Sequence, residues 1–365
     1  MRCLKDFMKI SIGTNIKDGP WGGGNLFAIN LRNYLINSGH DVVTNLDDND
    51  IDLILLTEPR KTSESSAFTH IDILKYRQFV KNDVIVVHRI NECDERKNSN
   101  YVNQYLIEAN KVADATVFVS TWLKNLFINN GLENNNLKVI LSGANSEIFN
   151  SNDNSMWDGL SKIKITTHHW GANWNKGFEI YQKLDEMISK EKYKDRVTFT
   201  YIGNLPKKFK FVNSTVVEPL SGKPLADKIK ENYIYLTASI NEPSGNHHIE
   251  AAQCGLPILF IDSGGIPEYC EGFGVKFSLE NFEQKLDEII DSYQYHQNNM
   301  TNYPLNSEIM SRNYETLFTE LYAQRNNLKN QRKTQTFINI FEKYIYLISR
   351  RINFLSKRFK PTVFK

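Results

Sequence analysis

The stretch that most constrains this chain runs Asn241-Glu242-Pro243-Ser244-Gly245-Asn246-His247-His248-Ile249-Glu250-Ala251-Ala252-Gln253-Cys254-Gly255. The apolar run Tyr233 to Ala238 before it reads as a buried strand. Glu242-Pro243 ends that strand, because proline cannot continue a ladder. Ser244 suits the N-cap of a helix opening at Gly245. Gly255-Leu256-Pro257 closes the helix, with glycine at its end and proline just past it. A second strand, Ile258 to Ile261, and a loop, Ser263-Gly264-Gly265-Ile266-Pro267-Glu268, follow. The free N–H groups and dipole at such a helix N-terminus favour an anion such as a diphosphate. Glu242 stands on the loop beside that anion. Glu250, eight residues on and inside the helix, can accept hydrogen bonds from a ribose.

At 365 residues the chain is long enough for two domains. Hydrophobic content of 41% with 24% charge is that of a soluble globular protein. No apolar run of about 18 residues occurs, so no membrane-spanning helix is expected. Met1 to Met8 mixes charge and polarity, unlike a secretory leader. The four cysteines form no C-x-x-C pair, which suits free thiols in a reducing compartment.

Lys9 to Asn15 reads as a first strand, and a helix runs to about Asn37 with apolar residues at helical spacing. Between them lies Trp21-Gly22-Gly23-Gly24-Asn25, where backbone can approach a phosphate or sugar. The spacing is not G-x-G-x-x-G, so a dinucleotide fingerprint fits poorly. Apolar runs at 41–45, 51–56, 84–87, 115–119 and 137–141 alternate with helical stretches, the pattern of a parallel sheet. Ligands of such sheets sit beyond the carboxyl ends of the strands. One such end carries a dense polar loop, His88-Arg89-Ile90-Asn91-Glu92-Cys93-Asp94-Glu95-Arg96-Lys97.

Taken in order, Glu242, Glu250, Ala251-Ala252, Gly255-Leu256-Pro257 and Gly264-Gly265-Ile266-Pro267-Glu268 resemble the signature of the retaining glycosyltransferases of family 4. That resemblance implies an α/β protein of the GT-B fold: two Rossmann-like parallel-sheet domains facing across a cleft. The expected division is 1–150 for an acceptor-side domain, 151–160 for a linker, 161–330 for a nucleotide-sugar domain and 331–365 for a basic amphipathic helix. The resemblance covers about residues 8–325.

The activity it implies is transfer of a sugar from a nucleotide-diphosphate donor to an acceptor hydroxyl with retention. A non-catalytic sugar- or lipid-binding relative is the alternative. Glu242 and His88 are expected as catalytic residues, with His88 on the cleft floor. Gly23, Gly24, Lys176, Leu220, Ser244, Gly245, Asn246, His247 and Glu250 are expected to bind the donor. Arg89, Asn91 and Glu92 are expected on the acceptor side.

Lys176 matches the family's lysine before a helix-opening glycine. The arginine that the family carries about six residues earlier is replaced near Trp170, so either His169 or another cation substitutes for it or the diphosphate is held less tightly. No metal is expected. Neighbours on a strand point to opposite faces, so His168 and His169 rarely share an ion, and His247 and His248 on a helix have the same problem. No cofactor is expected beyond the UDP- or GDP-linked sugar itself, and the acceptor would be a glycan, lipid-linked or protein-linked. No nucleic-acid module is visible.

Residues 331–365 hold nine Lys/Arg against one acid, a charge of +8 on a chain whose net is +2, which leaves −6 for the rest. Within 334–360, Phe337, Phe341, Tyr344, Ile348, Ile352, Leu355 and Phe359 form one apolar stripe, with Lys343, Arg350, Lys357 and Lys360 opposite. That pattern suits either an interfacial helix on anionic lipid or a terminal helix packed back on the protein. The expected location is cytoplasmic, with this segment as the contact to a membrane face.

Overall fold

The computed structural model describes residues 7–17, 19, 22–332 and 343–350. The first sheet contains β1 (Lys9–Ile12), β2 (Asp41–Val43), β3 (Leu53–Leu56), β4 (Ile85–Ile90), β5 (Ala115–Phe118) and β6 (Leu137–Val139), in the order β2-β1-β3-β4-β5-β6. The second contains β7 (Ile163–His169), β8 (Val197–Gly203), β9 (Thr215–Val217), β10 (Ile234–Thr237), β11 (Ile258–Ile261) and β12 (Gly274–Phe277), in the order β12-β11-β10-β7-β8-β9. Every pairing in both sheets is parallel.

Sheets of this kind are covered on both faces, so their central strands are apolar at nearly every position. β3, Leu-Ile-Leu-Leu, is buried throughout. Its alternate residues serve different cores. Leu53 and Leu55 pack with Phe27 and Leu31 of the Gly23–Asn37 helix, while Ile54 and Leu56 pack with Ile73 and Tyr76 of the His70–Phe79 helix. The second sheet has its own core, rich in aromatic rings: Phe178, Tyr181, Phe199 and Tyr201 touch one another.

Each sheet has one switch point, where successive connections leave in opposite directions and open a crevice. In the first it lies between β1 and β3. In the second it lies between β7 and β10.

Three expectations need correction. The unit placed at 161–330 gives its last long helix away. Ser307–Ala323 packs Met310, Tyr314, Leu317, Phe318 and Leu321 into the core between the first sheet and the Gly23–Asn37 helix. The chain crosses where Ala144 bridges Asn306 and the Ser307 N–H donates to the Ala144 carbonyl at 2.7 Å. The stretch Asn281 to Tyr295, whose sequence reads as a single helix, is divided at Ser292 into Phe282–Asp291 and Tyr293–Asn299. β12 was not expected at all; as an edge strand it alternates polar and apolar residues and carries little apolar signal.

Most of the 334–360 segment lies outside the described residues. Within it, 343–350 is helical. Tyr346 packs on the Phe79 ring, and Arg350 donates to the Asp47 and Asp48 carbonyls at 2.5 and 2.9 Å. Tyr344 and Ile348 are exposed. Among the described residues no helix is long and apolar enough to cross a membrane.

Candidate active site

The loops after β7 and β10 flank the second switch point, and each carries one charged residue of the site. Lys176 ends a single 3₁₀ turn, Trp174–Lys176, directly ahead of Gly177, which is the N-cap of the helix Phe178–Met187. Glu242 follows β10. The Lys176 ammonium donates to Glu242 Oε2 at 3.1 Å. A third residue arrives from the other domain: Arg96 Nη2 stands 3.0 Å from the same oxygen. Its Nη1 also donates to the Asn175 carbonyl at 3.4 Å.

All three side chains are largely buried, and the electrostatics follow. Burial alone would raise the Glu242 carboxyl, but the Lys176 and Arg96 charges overcome it and hold the group at about 2. Burial lowers the Lys176 ammonium, against the opposing pull of Glu242.

Arg96 sits on the short turn Asp94–Lys97. The Asp94 carboxylate fixes that turn by accepting from the Tyr101, Val102 and Asn103 N–H groups at 2.9–3.1 Å. Sequence reasoning missed Arg96. It named the polar run, but no spacing rule says which of its cations crosses to the second domain.

Next to this cluster the helix Asn246–Gln253 begins. Its N-cap is Gly245, not Ser244, and no side chain caps it. Gly245 adopts φ 77°, and a Cβ there would stand 2.7 Å from the His247 ring, so no other residue fits. The Ser244 hydroxyl instead approaches that of Ser142 at 3.5 Å. The first turn therefore presents N–H groups without a side-chain acceptor, as an anion site requires. The Gly264-Gly265 loop supports Glu242 from behind: the Gly265 N–H donates to the Glu242 carbonyl at 2.9 Å.

The histidines turn inward. His247 bonds Thr237 Oγ1 at 2.8 Å, so it faces a ligand only through its backbone N–H. Glu250 is buried and pairs through Oε2 with His168 Nε2 at 2.9 Å. Its Oε1 takes no bond from the described residues. His169 bonds the Tyr181 hydroxyl at 2.7 Å. Its ring lies 4.6 Å from that of His247, and that of His248 lies 4.8 Å from His247. Among the described residues no set of three His, Cys, Asp or Glu is arranged to hold a metal. Leu220 packs half-buried against the second core.

A hollow of about 370 Å³ opens at the first switch point, over the ends of β1, β3 and β4. Gly24, Arg89, Asn91 and Glu92 line it. A more open hollow of about 430 Å³ at Asp262, Lys276 and Lys285 carries none of the expected groups. His88 does not reach the cleft. β4 continues through Ile90, so His88 and Arg89 lie in the strand and point to opposite faces. His88 is fully buried, bonds the Asn110 amide at 3.0 Å, and is held neutral by burial, its imidazole lowered to about 3. Arg89 takes the cleft face.

The two sites meet. A Cβ on Gly23 would stand 3.1 Å from the Asn246 side chain, and Lys97, beside Arg96, also lines the hollow.

No family model matches the sequence, and no curated protein matches it by sequence. Solved structures do resemble it. A glycosyltransferase from Rickettsia africae is 14% identical with a TM-score of 0.60, over 87% of this chain and 99% of that one. Sucrose-phosphate synthase from Thermosynechococcus elongatus is 14% identical with a TM-score of 0.63, over 87% and 99%. Anabaena HepE, solved in complex with UDP and glucose, is 14% identical with a TM-score of 0.55, over 89% and 98%. At such identities the likeness is one of fold. The chain has the GT-B architecture of two Rossmann-like domains.

Proposed function

We propose that the chain is a glycosyltransferase that moves a sugar from a nucleotide-diphosphate donor to an acceptor hydroxyl, with retention and without a metal. The observation that carries this reading is the convergence of Lys176, Glu242 and Arg96 beside an uncapped helix N-terminus at the second switch point. That arrangement suits a diphosphate flanked by a sugar. The fold is shared with glycosyltransferases, one of them solved with UDP and glucose.

In this reading Lys176, Arg96 and the N–H groups from Asn246 onward hold the diphosphate. Arg96 then supplies the second cation that the sequence lacks near Trp170. Glu250 Oε1 accepts from the ribose, and Leu220 borders the base. Glu242, released in part from its two cations, lies against the donor sugar and stabilises positive charge at the anomeric carbon. The bond from acceptor oxygen to anomeric carbon forms as the bond to the β-phosphate oxygen breaks. The nucleoside diphosphate leaves with the acceptor's hydroxyl proton. Arg89, Asn91 and Glu92 line the acceptor side. The signature from Glu242 to Glu268 makes family 4 the closest description of this chemistry.

A thermal-shift panel of UDP, GDP, UDP-glucose, UDP-galactose, GDP-mannose and GDP-fucose tests the reading. At about 100 times its dissociation constant, the donor nucleotide should stabilise the protein by about 2.7 kcal/mol. Lys176→Ala should lose that shift. If no nucleotide shifts the folded wild type, the chain is instead a non-catalytic relative.

A further inference from the structure

Arg89 is the charge left over in the first-domain pocket. The carboxylates that line the hollow are already taken: Glu58 by Arg60, Glu92 by Arg60 and Lys97, and Glu64 by Lys17. Arg89 has no carboxylate partner among the described residues. Its guanidinium lies over the Phe27 ring, 3.9 Å from the centroid, and the residue is only 5% exposed. Its Nε–H is buried and has no hydrogen-bond partner. A buried guanidinium without a counter-charge is costly, and its planar fork matches an oxyanion side-on.

The position is as informative as the charge. The pocket occupies the switch point of its sheet, where ligands of such folds bind. Its volume, about 370 Å³, falls in the range of small-molecule sites. Both of its flanks lead to the donor side, through Gly23 against Asn246 and through Lys97 next to Arg96. The Thr14 and Thr57 hydroxyls, 2.8 Å apart, add neutral polar groups to the wall.

We propose that this pocket takes an anionic acceptor: a sugar or polyol whose phosphate or carboxylate is held by the Arg89 fork while its hydroxyls face the donor. The proposal deepens the glycosyl-transfer reading above and rests on it. It also accounts for a buried cation that the fold itself does not neutralise.

The test is a titration of the full chain with inorganic phosphate, glucose 6-phosphate, glucuronate and glucose, with UDP and GDP as separate arms. The Arg89 Nε–Hε resonance, identified by its loss in Arg89→Lys, should move saturably with the phosphorylated or carboxylated probes and not with glucose. Arg89→Lys, which keeps the charge but loses the fork, should weaken the bound oxyanion by about tenfold or more. A purely structural Arg89 would lower the melting point in the variant and leave the preference for oxyanions unchanged, which overturns the proposal. If Arg89→Lys does not fold, calorimetry on Lys176→Ala, which disables the diphosphate site, decides. In that protein equal affinities for glucose 6-phosphate, glucuronate and glucose overturn the proposal, and tighter binding of either oxyanion upholds it. UDP binding without oxyanion binding sinks this proposal and leaves the donor reading standing. Oxyanion binding at Arg89 with neither UDP nor GDP bound sinks the glycosyl-transfer reading and, with it, the acceptor role proposed for this pocket.

Discussion

Four imidazoles are held neutral by burial: His88 and His248 at about 3, His169 and His247 well below their ordinary value. In the unfolded chain each titrates near 6.5. Since the native values are the lower ones, the stability these groups support is complete above about pH 6.5. It falls with pH, because the unfolded chain binds protons the native one refuses. Each contributes a slope of up to about 1.4 kcal/mol per pH unit. Four together give about 5 kcal/mol per unit, comparable to the whole stability of an ordinary domain. Glu242 acts in the same direction, at lower pH. The melting point should therefore drop steeply between about pH 6.5 and 5, with about three to four protons taken up on unfolding at pH 5.5. An uptake below about one would mean these rings are solvated. The histidines were visible in the sequence, but their state was not. Whether His88 or Arg89 faces the cleft turns on β4 running through Ile90, three residues past the apolar run. Arg96 was within the polar run already singled out, yet its partner Glu242 lies 146 positions away, and no local pattern encodes such a contact.

At the scale of elements, strands and helices were legible because buried parallel strands are unbroken apolar runs and the helices carry stripes. What the sequence does not show is which element of one domain grips the other. The short helix Ile266–Cys270 does this. The Glu268 carboxylate accepts from the Thr121 and Trp122 N–H groups, both at 2.8 Å, at the start of the first domain's Thr121–Asn129 helix. The next residue, Tyr269, is buried. Its hydroxyl donates to the Val119 carbonyl and accepts from the Ser142 N–H at 3.1 Å. Tyr269→Phe would leave both backbone groups without a partner at almost unchanged volume. It should cost about 1–3 kcal/mol, read from urea unfolding as a lower midpoint with the same slope. Glu268→Ala, at an exposed position, should have a smaller effect that fades at high salt. A Tyr269→Phe protein as stable as wild type would mean that water replaces the hydroxyl.

Across the whole molecule, the two domains are not separable where the sequence suggests a cut. The first core is closed by a helix from the far end of the chain. Met310, Tyr314, Leu317, Phe318 and Leu321 are each at most 5% exposed, packed among Ile10, Phe27, Leu31 and Val87. Polar ties reinforce the seat: the Tyr34 hydroxyl donates to Glu315 at 3.1 Å, and Arg332 forks onto Asp114 at 2.8 Å. Five buried apolar side chains at about 1.5–3 kcal/mol each amount to about 10 kcal/mol. A domain of this size has about 5–15 kcal/mol in total. A chain ending at residue 150 should therefore lack a cooperative unfolding transition and bind hydrophobic dyes. The crossing point suggests the remedy, since the Ser307 N–H already donates to the Ala144 carbonyl. Residues 7–145 joined by a short Gly/Ser linker to 306–332 should melt cooperatively, and Phe318→Asp in that joined chain should abolish the transition. If the 1–150 chain melts sharply by itself, the returning helix is only a cover, and the coupling it provides between the two halves of the cleft is correspondingly weak.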